Sequence, residues 1–146
     1  MEIAIREAKR RDSSIIFQLI AELATTVGET SPVTTGYVEK YLSSPISRVL
    51  LAEAGGEVIG LLSYSIRPDL YHGANTGLIE EVIVREAMRS KGVGSALVNE
   101  LFSRLAALGC VEVSVTVMPG NTQAIKFYRA HGLTEEALFL ERHFGL

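Results

Sequence analysis

Tryptophan is missing from this chain and cysteine nearly so, Cys110 being the single thiol among 146 residues. No internal disulfide can form, so the fold must rest on its core alone. Long apolar runs are also missing; none approaches the roughly 18 residues that a membrane span needs. The opening Met1-Glu2-Ile3-Ala4-Ile5-Arg6 has neither the basic n-region nor the apolar h-region of a secretory signal. These absences lead us to expect a cytoplasmic protein that makes no use of a membrane. An excess of positive charge is lacking too: 14 Lys and Arg stand against 17 Asp and Glu, a formal net charge of -3. With no basic run either, nucleic acid is not an expected partner. His72, His131 and His143 show no ligand spacing such as H-x-x-x-H, so no metal is expected.

What is present is an ordinary globular composition. Hydrophobic residues make up 47% and charged residues 21%, too apolar for a disordered chain. The length fits one core, and no linker, repeat or low-complexity tract divides it. We therefore read residues 1–146 as a single domain.

Residues 2–7 alternate Ile3 and Ile5 with polar neighbours, a strand pattern. Asp12-Ser13-Ser14 offers helix-capping chemistry, and Ile16, Leu19, Ile20, Leu23 and Val27 follow at helical spacing up to Gly28. A short helix is expected over residues 35–42. Two β-rich runs, residues 47–54 and 57–66, flank Gly55-Gly56, a hairpin signal. Residues 68–75 read as a loop and 77–84 as a third β run. A helix over residues 92–108 carries Val93, Leu97, Leu101, Leu105 and Leu108 as one stripe, widened by Val98, Phe102 and Ala106, as for a helix lying on a sheet. A strand at 112–117 and a short helix capped by Asn121 and closed at Gly132 come next. A last strand is expected at 138–143. The order β-α-α-β-β-β-α-β-α-β predicts a mixed α/β sheet rather than a regularly alternating, doubly wound one.

The chemistry concentrates between residues 82 and 97. A strand ending in Val82-Ile83-Val84 is followed by a short loop, and Arg89-Ser90-Lys91-Gly92-Val93-Gly94-Ser95 opens a helix. The first N–H groups of a helix have no partners and carry the positive end of its dipole. Glycine lets that backbone approach an anion closely, and Arg89 and Lys91 add charge at the rim. A pyrophosphate suits such a turn. The P-loop order fails, because Lys91 precedes Gly92 instead of following the second glycine. The G-x-G-x-x-G pattern fails because Leu97 stands where its third glycine belongs.

Arg89-Ser90-Lys91-Gly92-Val93-Gly94 is similar to the R/Q-x-x-G-x-G/A motif of the GNAT acetyltransferases, which holds the pyrophosphate of CoA. The strand Ile79-Glu80-Glu81-Val82-Ile83-Val84 stands upstream as in that family. Asn121-x-x-Ala124-x-x-Phe127-Tyr128-x-x-x-Gly132-Leu133 resembles its second motif downstream. The resemblance covers nearly the whole chain and is strongest, within the superfamily, to small bacterial amine acetyltransferases of the aminoalkylphosphonate type. It implies an α/β GNAT fold with a mixed sheet of about six to seven strands, splayed at the middle and flanked by about four helices. It implies an acyltransferase that moves acetyl from acetyl-CoA to a primary amine of a small molecule or a protein, in a chain that can dimerise.

The same resemblance assigns roles. Residues 89–95, Arg89 to Ser95, and Asn121 would hold the CoA. The backbone of Val82, Ile83 and Val84 would pair with the pantetheine arm as an added strand does, one amide polarising the acetyl carbonyl. Tyr128, which alone reads as a core aromatic, would protonate the departing thiolate. Glu80 would take a proton from the substrate ammonium, with Glu81 binding the cation. Adjacent strand residues point to opposite faces, so one of the two should look into the cleft. Tyr71 and His72, in the loop before this strand, are further substrate candidates. Specificity should lie in residues 25–44 and 67–76, which match no motif. A non-catalytic acetyl-CoA sensor on the same scaffold is the alternative reading, and the presence of both Glu80 and Tyr128 speaks against it.

Overall fold

The computed structural model describes residues 1–145. Its order is β1 (Ala4–Glu7), α1 (Ser13–Thr26), α2 (Thr35–Leu42), β2 (Ser47–Ala54), β3 (Glu57–Asp69), β4 (Ala74–Val84), α3 (Val93–Ala107), β5 (Val113–Val115) and α4 (Thr122–Ala130). Single 3-10 turns at Arg10–Asp12 and Glu86–Met88 lead into α1 and toward α3. The strands form one sheet in sequence order, β1-β2-β3-β4-β5, antiparallel except for the parallel pair β4/β5.

The hairpin expected at Gly55-Gly56 forms, with Ala54 opposite Glu57. The next hairpin is longer than the sequence suggests. Pro68 pairs with Asn75 and Asp69 with Ala74, so the expected loop shrinks to residues 70–73. Pro68 lies beyond the last β2 partner of β3, Ser65, where no second ladder asks for its missing N–H.

Strand alternation sorts the core onto two faces. Leu50, Leu62, Tyr64 and Ile79 point to one face and meet Leu97, Leu101 and Leu105 of α3. Val49, Leu51, Leu61 and Ile83 point to the other and meet Ile16 and Leu19 of α1 and Val38 of α2. Each fully buried leucine here contributes about 1.5–3 kcal/mol of transfer free energy. Leu50, Leu51, Leu62, Leu97 and Leu101 are all 0% exposed, which makes the sheet the rigid plate against which the site is set.

Among the described residues the sheet has five strands, fewer than the six to seven expected, flanked by four α-helices as expected. Residues 138–143 form no strand. Leu138, Leu140 and Phe144 are 91%, 86% and 76% exposed. The segment has the composition of a strand, but among the described residues no strand pairs with it, and a strand exists only in a ladder. The strand expected at 112–117 is likewise cut to three residues, because β5 follows β4 only over residues 77–79.

Candidate functional site

Beyond Ile79, β4 continues alone on its β5 side. Residues 81–84 pair with β3, Glu80 standing unpaired before them, and among the described residues none of 80–84 has a partner across the other edge. A wedge therefore opens between β4 and β5, lined on one side by the unpaired backbone edge of Glu80 to Val84. Such an edge is a template for an extended ligand.

The wedge leads to the turn before α3. Arg89 is extended at φ -68 and ψ 156, Ser90 takes a left-handed φ of 61, and Gly92, the N-cap of α3, sits at φ 84. A side chain at Gly92 would be strained by that φ, although the space around its Cβ position is open. No side chain caps α3, and its first intrahelical bond runs from Ala96 N–H to Gly92 C=O at 3.0 Å. The N–H groups of Val93, Gly94 and Ser95 are left for an anion. Arg89 is exposed, and its Nε donates to the Val84 carbonyl at 3.2 Å, which sets the guanidinium beside the wedge. Lys91 is exposed on the same turn. Val82, Ile83, Val84, Arg89, Glu22 and Leu23 enclose a recess of about 260 Å³. The charge of Glu22 is matched by Arg85 at 3.1 Å.

The fourth helix, α4, packs against the start of α3. Asn121 caps it by accepting the Ala124 N–H at 3.1 Å, as its position in the sequence suggests. Gly94 allows close packing: a Cβ there would lie 3.3 Å from the Phe127 ring. Tyr128 stacks edge-to-face on Phe127 at 5.1 Å and packs half-buried against the α3 side of the core. Burial pushes its hydroxyl above the ordinary tyrosine range. No hydrogen bond within the chain occupies that hydroxyl among the described residues.

The two carboxylates correct an expectation. The register of β3 and β4 slips at their middle: Ser63 stands opposite Glu81, yet Tyr64 stands opposite Ile79. Glu80 is the extra residue of a β-bulge. A bulge breaks the simple alternation of sides, so Glu80 and Glu81 share a face instead of opposing each other. Ser65 Oγ donates to Glu80 at 3.2 Å. Ser63 Oγ makes a short hydrogen bond to Glu81 and accepts the Glu81 N–H at 3.0 Å. Glu80 is exposed and Glu81 half-buried. Burial, and secondarily the charge of Glu80, raise the Glu81 carboxyl above its ordinary range against the opposing pull of Ser63.

Glu81 and Ser63 form one end of a cavity of about 520 Å³ between α1, the segment after it, α2 and the sheet. Leu23 borders both this cavity and the recess beside Arg89. The segment 25–44 contributes Val27, Glu29, Tyr37 and Tyr41 to its walls, whereas 67–76 contributes nothing. Tyr71 and His72 are thus not brought to the cavity. Tyr71 is 94% exposed, and His72 is held by Asp69 at 3.0 Å and lies 3.6 Å from Glu112 at the far end of the sheet. Ser63 and Ser65 carried no signal in the sequence, since only the cross-strand register reveals them.

A family model described as acetyltransferase (GNAT) family matches residues 14–133. The chain is 29% identical over 146 residues to a thialysine N-epsilon-acetyltransferase of Bos taurus, covering 89% of this chain and 83% of that protein. It is 28% identical over 130 residues to an aminoalkylphosphonate N-acetyltransferase of Salmonella typhimurium, covering 88% and 82%. A solved structure described as a transcriptional regulator from Bacillus halodurans superposes with a TM-score of 0.85 at 27% identity, over 98% of this chain and 100% of that one. An aminoglycoside acetyltransferase from a soil metagenomic sample, solved with sisomicin, reaches 0.85 at 19% identity over 99% and 96%, a likeness of fold. With the two motifs, the wedge and this match over most of its length, the chain belongs to the GNAT acetyltransferase family and is an acyltransferase.

Proposed function

We propose that this chain transfers the acetyl group of acetyl-CoA directly to a primary amine. The observation that carries the reading is the wedge: β4 parts from β5 at Ile79 and its free edge ends beside an uncapped helix start. The pyrophosphate rests on the N–H groups of residues 92–95 with Arg89 and Lys91 at its rim. The pantetheine arm pairs with the open edge of Val82, Ile83 and Val84. The free amide side of Asn121 stands by the same substrate.

The amine nitrogen attacks the thioester carbon, and the oxygen charge that develops is met by a backbone N–H of Val82, Ile83 or Val84. The C–N bond forms, the C–S bond breaks, the thiolate takes its proton from Tyr128, and the second proton shed by the amine nitrogen restores the Tyr128 hydroxyl by way of solvent. The ammonium first loses a proton toward Glu80, whose exposure lets it return that proton to water. Glu81, in the cavity wall, holds the cation.

The exposed residues Leu138, Phe139 and Leu140 are the stretch that a second copy of this chain would cover in a homodimer.

The test is release of free CoA thiol from acetyl-CoA across a panel of amines. Amine-dependent release is expected. Binding of acetyl-CoA with no release to any amine would instead favour the sensor reading.

A further inference from the structure

The cavity that ends at Glu81 is uneven in its chemistry. Most of its wall is apolar, with Ile16, Ile20, Leu23 and Val33 along its length. Its charged lining residues are Glu29 toward the loop after α1 and Glu81 on the sheet, and its wall includes no lysine, arginine or histidine. A carboxylate or phosphonate taken into such a space would lose its water and find negative groups in place of a partner.

Polar acceptors cluster at the sheet end. Besides Glu81 and Ser63, the Tyr41 hydroxyl is buried there with no hydrogen-bond partner, near Ser47 and Ser63 without meeting the geometry of a hydrogen bond to either. Its pKa is pushed up to about 12, first by burial and then by the charges of Glu81 and Glu80, and it lines the same cavity as Glu81. A buried polar atom without a partner is rare and calls for one. An ammonium group has three donors to offer, and the Tyr41 ring next to it adds a surface that favours cations.

Resting on the acetyltransferase reading above, we infer that the acceptor is a primary amine on an uncharged, largely apolar body, with no carboxylate or phosphonate, its nitrogen held between Glu81 and Tyr41. This sets the chain apart from its relatives, since thialysine is an amino acid and an aminoalkylphosphonate bears its own anion. The nearest cation on that face of β3 is Arg67, two residues beyond Ser65, and it is exposed and outside the cavity.

The experiment compares matched acceptors in the thiol-release assay: phenethylamine against phenylalanine, and pentylamine against norleucine. Each pair differs by one carboxylate. The amine without the carboxylate should be favoured in kcat/KM by about 100-fold or more, and Tyr41→Phe should raise its KM while leaving acetyl-CoA affinity unchanged. Equal use of both members, or preference for the amino acid, would overturn this inference and leave the acetyltransferase reading intact. Absence of turnover with every amine, while acetyl-CoA binds, would overturn both.

Discussion

Glu80 and Glu81 are neighbours in sequence, yet both accept hydrogen bonds from the same face of β3, Glu80 from Ser65 at 3.2 Å and Glu81 from Ser63. The bulge that makes this possible sets an exposed carboxylate beside a half-buried one, and it makes the roles proposed for them separable. Glu80→Gln should lower kcat by about 100-fold with a small change in KM, the loss of a general base, and raising the pH should recover part of it as more amine arrives neutral. Glu81→Gln should instead raise the KM for the amine. Steady-state kinetics of the two variants against pH distinguish the assignments; the reverse pattern would exchange them.

Tyr128→Phe keeps the ring that packs on Phe127 and removes the hydroxyl. It should lower kcat by about 100-fold while the acetyl-CoA dissociation constant stays within about twofold, since uniform binding is untouched. The active form of an acid is its protonated form, and burial raises this hydroxyl above the usual tyrosine value. In the wild type, kcat should therefore show no alkaline fall below about pH 10. An unchanged kcat in the variant would remove Tyr128 from the reaction.

Gly92→Val should weaken acetyl-CoA binding at least about tenfold. The left-handed φ of 84 costs a non-glycine residue about 1–2 kcal/mol, and a β-branched side chain would move the turn whose N–H groups face the phosphate. Calorimetric affinity together with the thermal midpoint separates a lost site from a lost fold.

The N-terminal strand is fastened by Arg6, which donates to both oxygens of Asp12 at 2.8 Å each, while Lys9 N–H donates to Asp12 at 2.7 Å. The hydrogen bonds from Arg6 are the largest cause of a carboxyl held below its ordinary range. A depressed carboxyl contributes stability above its unfolded value, and that contribution is lost as pH falls through the folded one. Asp12→Asn should cost about 1–3 kcal/mol at pH 7, and the gap from wild type should narrow below about pH 4. Thermal unfolding of both proteins across pH 2–7 measures it; a gap independent of pH would mean that packing, not charge, is what the variant loses.

How far the sequence reached depended on whether a feature is local. The Gly55-Gly56 hairpin, the stripe of α3 and the glycine turn that opens it are written in residues close together, and each forms near where it was expected. The bulge at Glu80 is written nowhere locally: it comes from how Ser63 and Tyr64 meet β4, and so alternation put the two carboxylates on opposite faces. The strand expected at 138–143 shows the same limit, since β composition without a partner makes no ladder. Pro68 misled in the other direction, because a proline breaks a strand only where a donor is required. The cavity walls came from a segment singled out for its lack of motif, residues 25–44, while Tyr71 and His72, equally suggestive in composition, stand at the wrong end of β4.

The central claim is that the wedge and the uncapped turn hold acetyl-CoA. Titration calorimetry of the wild-type protein with acetyl-CoA, with ATP and NAD as separate titrants, tests it most directly. The account predicts micromolar binding of acetyl-CoA and none of the other two. No heat with acetyl-CoA, or equal binding of ATP, would contradict it.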